Sequence, residues 1–328
     1  MKEKLNHALY IILGNRIYFL IGLIAIVVII MSSMSPYFLT VNNMLGMTRF
    51  GAVLALVALG ETLVILAGGG GIDLSVGAIL SLSGILFGIM MKAGIPLWAA
   101  ALACIVIAGI LGAVNGLTIA KLGLPPLIGT LGTMYAYGAL ALVLSKGVPV
   151  SGFPKEFGFL GQGMILKIPV QVLLVVVPVF IFLQFITSKT KFGRNIYLVG
   201  VNEQAARFAG ISVVNTRFVL YTLSGILAGF GSIIMASYLM TARADVGNGL
   251  ELQAITVAML GGTNIMGGTG SLTGTILAVL IVTMVASGLQ LANVNTIWQL
   301  AVLGLILLGA VAINQAISNR DAKRHGIA

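Results

Sequence analysis

Charged residues are scarce in this 328-residue chain: 8% of its residues are Asp, Glu, Lys or Arg, whereas 59% are hydrophobic. That balance excludes a water-soluble domain with an ordinary charged surface. No residue from Leu252 to Asn319 is charged, and one membrane-spanning helix needs only ~20 predominantly apolar residues. We therefore expect several spans within that stretch, and an integral membrane protein as a whole.

Cysteine, histidine and the sequence motifs of common enzymes are also lacking. Cys104 is the single cysteine, and His7 and His325 are the two histidines, which excludes a disulfide framework and a zinc cluster. The sequence contains no Gly-x-x-x-x-Gly-Lys-Ser/Thr loop for nucleotide phosphates and no zinc-protease or serine-hydrolase motif. We predict that the chain is not an enzyme, binds no metal or cofactor itself and cannot hydrolyse ATP through such a loop.

Apolar sequence is abundant, and charges, prolines and glycines divide it into about ten segments. An even number of spans places both termini on one side of the membrane. If that side is cytoplasmic, twelve of the 18 basic residues lie inside, as the positive-inside rule requires. The net charge of +10 then reflects basic loops, and no nucleic-acid partner is expected. The segments are 17–35, 50–67, 75–91, 96–119, 124–145, 168–188, 216–240, 251–266, 271–290 and 295–317.

The expected fold is therefore an all-α membrane protein with about ten transmembrane helices and cytoplasmic N and C termini, forming one domain over residues 1–328. Two glycine-rich breaks interrupt its apolar segments, at Gly68–Gly71 and Gly261–Gly270. Irregular backbone at membrane depth is tolerated where it is buried in protein or lines a watery cavity. Both breaks are candidates for a transport path.

Two carboxylates, Glu61 and Asp73, lie well within the apolar sequence. A buried charge is costly, so each is a candidate functional residue, for example in proton or sodium coupling. We favour a structural interpretation of Asp73, in which it accepts hydrogen bonds from backbone N–H groups near Ser75 and holds the glycine turn. Glu61 is either buried at a helix contact or faces a cavity. The candidate path residues are Asp73, Ser75, Asn115, Thr130 and Thr133.

One large polar loop, residues 189–217, is expected on the cytoplasmic side between the sixth and seventh spans. Asn202 is a candidate N-cap, Glu203 lies in the first turn, and Gly210 ends a helix of about two turns. So short a helix must be docked against something. Two supports remain open: the bilayer surface, or a protein groove that suits the small side chains of Ala205, Ala206 and Ala209.

Four motifs, in this order, resemble the permeases of the ribose-type ATP-binding-cassette (ABC) sugar importers. They are Gly69–Gly77, Thr130–Thr133, Phe192–Ile211 and Gly261–Ser271. The first departs from the usual form by carrying four successive glycines, from Gly68 to Gly71. Two further stretches, Ala242–Gly247 and Ser151–Pro154, look closest to the autoinducer-2 and rhamnose importer members.

The resemblance implies a ten-helix subunit of the bacterial inner membrane. Its partners would be a second permease subunit, identical or paralogous, two ATPase domains that hold ATP and Mg²⁺, and an extracytoplasmic sugar-binding protein. The short cytoplasmic helix would be the coupling helix that contacts the ATPase, through Asn202, Glu203, Ala205, Ala206, Arg207 and Gly210. The cations expected to meet the binding protein are Lys146, Lys155 and Arg243. The alternative is a secondary sugar symporter driven by an ion gradient through Glu61 or Asp73.

Overall fold

The structure is a computed structural model that describes residues 16–324. Its α-helices, in chain order, are α1 (Arg16–Met34), α2 (Val41–Leu66), α3 (Val76–Lys92), α4 (Leu97–Gly116), α5 (Pro126–Ser145), α6 (Gly158–Gln162), α7 (Val177–Lys189), α8 (Lys191–Val201), α9 (Glu203–Phe208), α10 (Val213–Leu239), α11 (Leu250–Leu260), α12 (Leu272–Leu291) and α13 (Thr296–Arg324). Single π-helical turns follow α4 (Leu117–Lys121) and precede α7 (Val172–Val176), and a 3₁₀ turn covers Lys155–Phe157. Four two-residue strands are β1 (Val150–Ser151), β2 (Met164–Ile165), β3 (Ile168–Pro169) and β4 (Thr241–Ala242).

Seven of these helical segments, with their π-helical extensions, are long and apolar enough to cross a membrane. Three shorter apolar helices accompany them: α3, α11 and the Ile297–Ala312 part of α13. Each predicted apolar segment thus contains one helix, and the helical, multi-span membrane fold is confirmed. The count of ten crossings and the cytoplasmic side of the termini stay predictions.

The boundary of α2 differs most from the sequence prediction. This helix begins at Val41 rather than near residue 50, because the Thr40 hydroxyl accepts a hydrogen bond from the N–H of Asn43 and caps its first turn. The prediction relied on apolar runs and placed the start of this helix too late, because its first turn contains polar residues. With 26 residues, α2 is ~39 Å long and connects the two ends of the bundle.

The core is built around α2 and α10. Every residue of α2 from Gly51 to Leu66 is buried, and α10 packs closely on α4, where Gly225 and Gly112 face each other. A Cβ atom at Gly225 would clash with the carbonyl oxygen of Ala108, so glycine allows the two backbones to approach.

A pair of short strands joins the loops at the end of the bundle opposite α9. β1 and β4 are antiparallel, with Val150 opposite Ala242. Beneath them Phe87, Phe153 and Phe157 form an aromatic cluster with ring centroids 5.2–5.6 Å apart. This pairing fixes the loop after α5 to the loop after α10.

Candidate functional site

The α9 helix has the local structure that the sequence predicts. Asn202 is its N-cap, since the side-chain Oδ1 accepts a hydrogen bond from the N–H of Ala205 at 2.9 Å. Beyond its last turn, Gly210 adopts φ +78°, and the N–H of Ile211 donates to the carbonyl of Ala206 at 3.0 Å. This left-handed glycine ends the helix as a C-cap.

The orientation of α9 corrects one predicted contact residue. Ala206 is 4% exposed and packs on Val199 and Val213, residues of the chain's own α8 and α10. It therefore does not share an outer face with the exposed Ala205, because positions one apart on a helix point in different directions. Ala209, which is also exposed, follows the last residue of the helix. The large exposed side chain of α9 is Phe208, which is 93% exposed.

An ion-paired arginine connects α9 to the interior. Glu203 contacts Arg207 at 2.7 Å on its own helix and Arg217 of α10 at 2.8 Å. The hydrogen bonds from Arg207, together with the charge of Arg217, lower the pKa of the Glu203 carboxyl below its ordinary value, although partial burial opposes this. The Arg217 side chain is 18% exposed, and its Nη2 lies 3.5 Å from the carbonyl oxygen of Ala67, just before the first glycine break.

The two glycine-rich breaks lie against each other at the α9 end of the bundle. The N–H of Gly268, in the second break, donates to the carbonyl of Leu66 at 2.9 Å. In the first break, Gly68, Gly69 and Gly70 have φ values of +66°, +66° and +69°, a conformation that other residues rarely adopt. A Cβ atom at Gly69 would in addition clash with the Arg217 guanidinium. The first break is thus a left-handed turn with the arginine closed over it.

Behind this turn, a fully buried polar cluster surrounds Asp73. Its Oδ1 accepts from the N–H of Ser75 at 3.0 Å, the Ser75 hydroxyl at 2.7 Å and the Asn115 amide at 3.4 Å, and its Oδ2 accepts from the Ser224 hydroxyl at 3.3 Å. The N–H of Asp73 donates to Glu61 Oε1 at 3.1 Å. The hydrogen bond from the Ser75 N–H is the contact that the structural interpretation of Asp73 predicts, and Glu61 is buried at a helix contact.

The predicted path residues therefore lie in packed protein. Asp73, Ser75, Asn115 and Thr130 are each 0% exposed, and Asn115 Nδ2 also donates to Ser75 Oγ at 2.6 Å. The hydroxyls of Thr130 and Thr133 donate to carbonyls of their own helix, to Pro126 at 2.8 Å and to Thr130 at 3.1 Å. The structure brings the first three into one cluster and leaves Thr133 partly exposed; a role in transport stays a prediction for all five.

The three predicted docking cations lie near the opposite end of the bundle, on the two loops that β1 and β4 join. Lys146 ends α5 and Lys155 begins the 3₁₀ turn, and both are exposed. Arg243 follows β4 and forms an exposed ion pair with Asp245 at 2.7 Å. Part of the Arg243 charge is thus neutralised within the chain.

Two functional candidates, Arg217 and Phe208, were not predicted from the sequence. Arg217 was counted only as an inside charge, because its contacts with Glu203 and the first glycine break depend on tertiary packing. Phe208 lies within the predicted short helix, but the sequence does not show which way its side chain points. A signal for it was present: a large aromatic residue next to the helix-ending Gly210 has few neighbours of its own chain to cover it.

Comparison with known proteins identifies the family. Residues 43–311 match the family described as branched-chain amino acid transport system / permease component. The chain belongs to this family. Family members with similar sequences include the ribose import permease protein RbsC of Bacillus subtilis (strain 168), which is 41% identical over 88% of this chain and 90% of its own.

Two further relatives have similar coverage. The D-allose transport system permease protein AlsC of Escherichia coli (strain K12) is 38% identical, over 90% of each chain. The autoinducer 2 import system permease protein LsrD of Enterobacter sp. (strain 638) is 36% identical, over 89% of this chain and 90% of its own. No solved structure matched. The resemblance to ribose-type sugar importer permeases is therefore confirmed, and this chain is a membrane permease.

Proposed function

We propose that this chain is the transmembrane subunit of an ATP-driven importer for a sugar or sugar-like molecule, in the ribose, rhamnose and autoinducer-2 class. The observation that carries the proposal is α9: a capped helix of about two turns between α8 and the long apolar α10, with its largest side chain turned outward. The relatives named for ribose, allose and autoinducer 2 import support the substrate class. ATP and Mg²⁺ belong to the partner ATPase.

The proposed ATPase contact is an apolar patch around the outer surface of α9. Four large side chains, each at least half exposed, contribute to it: Leu198, Val201, Phe208 and Met266. An exposed apolar patch at a loop that also carries Arg207 fits a protein groove with a polar rim. In this arrangement Ala205 and Ala209 face the partner, whereas Ala206 supports the helix from behind.

The proposed route of coupling passes through Arg217. A displacement of α9 moves Glu203, and with it the guanidinium that closes over the first glycine break. In the sequence, that break lies just before Asp73 and the start of α3. Two arrangements of this contact, selected by the state of the ATPase, are the kind of differential contact that alternating access requires.

The remaining assignments follow from the same proposal. The chain crosses the bacterial inner membrane ten times with cytoplasmic termini, pairs with a second permease subunit, and meets the sugar-binding protein through Lys146, Lys155 and Arg243. A secondary symporter is the competing function. It would use Glu61 or Asp73 for the driving ion, but both carboxylates are fully buried in hydrogen-bonded protein.

Substitutions on the two sides of α9 test the proposal. Ala205→Trp adds bulk on the exposed face and Phe208→Ala removes the outward anchor, so each should weaken ATPase association about tenfold or more, equivalent to ~1.4 kcal/mol. Ala206→Trp instead breaks packing within the chain and should lower the yield of folded protein. Association is measured by titrating the purified ATPase onto the permease in nanodiscs, and uptake in proteoliposomes with enclosed ATP.

Wild-type association and ATP-dependent uptake by Ala205→Trp and Phe208→Ala would contradict the coupling assignment. Sugar uptake driven by an ion gradient through this chain alone, without ATPase or binding protein, would establish the symporter instead.

A further inference from the structure

A cavity of about 330 Å³ lies between α2, α10, α11, α12 and α13. It sits at the end of the bundle remote from α9. On α2 it reaches Asn43 near the N-terminus, whereas Leu66 at the other end contacts the glycine breaks. On α12 it reaches Gln290, whereas the N-terminus of that helix follows the second break. A neighbouring space of about 160 Å³ shares Gln253 and Gln299 with it.

Apolar side chains form most of the lining of this cavity, and its polar side chains carry no charge. All six polar side chains are amides or hydroxyls, and none of the residues that line the cavity is acidic or basic; the polar ones are Asn43, Gln253, Thr283, Ser287, Gln290 and Gln299. Such groups donate and accept hydrogen bonds but supply no counter-charge. They suit a neutral ligand with many hydroxyl groups, and they disfavour a carboxylate or a phosphate ester, which would be desolvated without a partner.

Some of these side chains are held in place and others are free. The Ser287 hydroxyl donates to Asn43 Oδ1 at 2.7 Å, while the Asn43 amide donates to the carbonyl of Phe38 at 2.8 Å. The side-chain amides of Gln253 and Gln290, by contrast, make no hydrogen bond to any residue in the described part of the chain. Gln253 is partly buried and Gln290 lies exposed at the edge of the cavity, so both amides are available to hydroxyl partners.

An aromatic ring completes the lining. Phe50 borders the cavity, and its ring packs edge-on against Tyr238 with centroids 5.2 Å apart. The ring carbons of a sugar present C–H groups on one face, which pack well on an aromatic surface, while its hydroxyls point sideways towards hydrogen-bonding groups. Phe50 beside two free amides offers both kinds of contact.

We propose that this cavity is a substrate site on the transport path, which takes a neutral polyhydroxylated molecule. Gln253 and Gln290 hydrogen-bond its hydroxyls and Phe50 packs on its C–H face. The proposal rests on the importer function and adds the site within this subunit and the exclusion of sugar acids and sugar phosphates. Because the cavity is remote from α9, it receives the sugar at the side opposite the ATPase.

The test uses the complete transporter, with ATPase and binding protein, in proteoliposomes. The probes are radiolabelled D-ribose and D-allose, with D-ribonate and D-ribose 5-phosphate as charged counterparts. At saturating binding protein, Gln253→Leu combined with Gln290→Leu should lower ATP-dependent uptake of the neutral sugar at least tenfold. Gln290→Asn, which keeps an amide, should lose less. Gln184→Leu, on α7 outside the cavity, is the matched control and should transport like the wild type.

A labelling experiment does not depend on turnover. In a Cys104→Ala background, Gln290→Cys should react with a small water-soluble maleimide, and millimolar neutral sugar should slow that reaction at least threefold. Wild-type uptake by the double variant, or protection by the charged sugars alone, would overturn the assignment of the site and leave the importer function standing. If the cavity holds a lipid chain, sugar gives no protection and the leucine variants transport normally, which also overturns it. Failure of the wild-type complex to take up any sugar with ATP would contradict the importer function itself.

Discussion

At the α9 end of the bundle, the Arg217 and Asp73 side chains are withdrawn from solvent and make several polar contacts, whereas at the opposite end the Arg243–Asp245 ion pair is exposed. Arg217 is 18% exposed there and Asp73 is fully buried, but the Arg243 side chain is 47% exposed. The groups that line the cavity at that opposite end are neutral, and two of its amides make no hydrogen bond to the residues that the structure describes. Polar groups near α9 thus stabilise the structure, whereas those of the cavity are available to a ligand.

The difference follows from the backbone that each end contains. Near α9, two irregular glycine breaks leave the chain without continuous helical hydrogen bonding at membrane depth, and buried polar groups must compensate for it. Asp73 stabilises one arrangement because both of its carboxylate oxygens accept hydrogen bonds from fixed donors. At the cavity end the helices are regular, so their polar side chains are available to a ligand.

The largest expected effect comes from removing the centre of the buried cluster. Asp73→Leu leaves the Ser75 N–H and the hydroxyl and amide donors around it without an acceptor. Since each orphaned buried group costs about 1–3 kcal/mol, the loss of unfolding free energy should exceed about 3 kcal/mol. Thermal unfolding of the detergent-solubilised permease measures it.

Two comparisons sharpen this prediction. Asp73→Asn keeps one acceptor oxygen and should lose clearly less stability than Asp73→Leu. At the other end, Gln253→Leu removes an amide that has no partner in the described part of the chain, and should leave the unfolding temperature unchanged. Equal destabilisation by Asp73→Leu and Gln253→Leu would show that the two ends do not differ in the way the hydrogen bonds indicate.

An intermediate effect is expected at Arg217, on transport rather than on assembly. Arg217→Gln removes the ion pair with Glu203 and the cation over the first glycine break but leaves the exposed surface of α9 intact. ATPase association should therefore stay within about twofold of wild type, while ATP-dependent uptake falls about tenfold, or ~1.4 kcal/mol of coupling. Arg217→Lys keeps the charge without the forked geometry and should restore only part of the uptake.

This prediction distinguishes a defect in transmitting movement from α9 to the glycine break from a defect in binding the ATPase. A matched control is Arg207→Gln, which removes the other, more exposed partner of Glu203. It should affect uptake less than Arg217→Gln, since it does not reach the glycine break. If both variants bound the ATPase and transported at the wild-type rate, the proposed route through α10 would be wrong.

The helical membrane fold could be predicted because long apolar runs have few alternatives in a bilayer. The start and the end of α9 could also be predicted from the sequence, because Asn202 and Gly210 act on the backbone of neighbouring residues. The hydrogen bond from the Ser75 N–H to Asp73, two positions earlier, followed from the same short-range chemistry. In each case the residues that decide the structure lie within a few positions of one another.

Features that depend on distant contacts could not be predicted. Ala206 looked like an outward-facing residue until its contacts with Val199 and Val213 were known. The contact between the two glycine breaks, about 200 positions apart, has no local signature. The cavity likewise combines Asn43, Gln253 and Gln290 from three helices, and nothing in the spacing of these residues indicates that they share a space.

The smallest expected effect concerns the exposed ion pair at the cavity end. Arg243→Gln should leave the unfolding temperature unchanged, because an exposed pair contributes little to stability. If Arg243 meets an acidic surface of the binding protein, the association rate at low salt should fall about two- to threefold and recover at high salt. Asp245→Asn should do the opposite, since it releases Arg243 from its intramolecular partner. Stopped-flow association at two ionic strengths distinguishes these outcomes. Identical rates for both variants at low salt would mean that Arg243 is merely solvated, and a large loss of stability would mean that charges at this end are structural, as they are near α9.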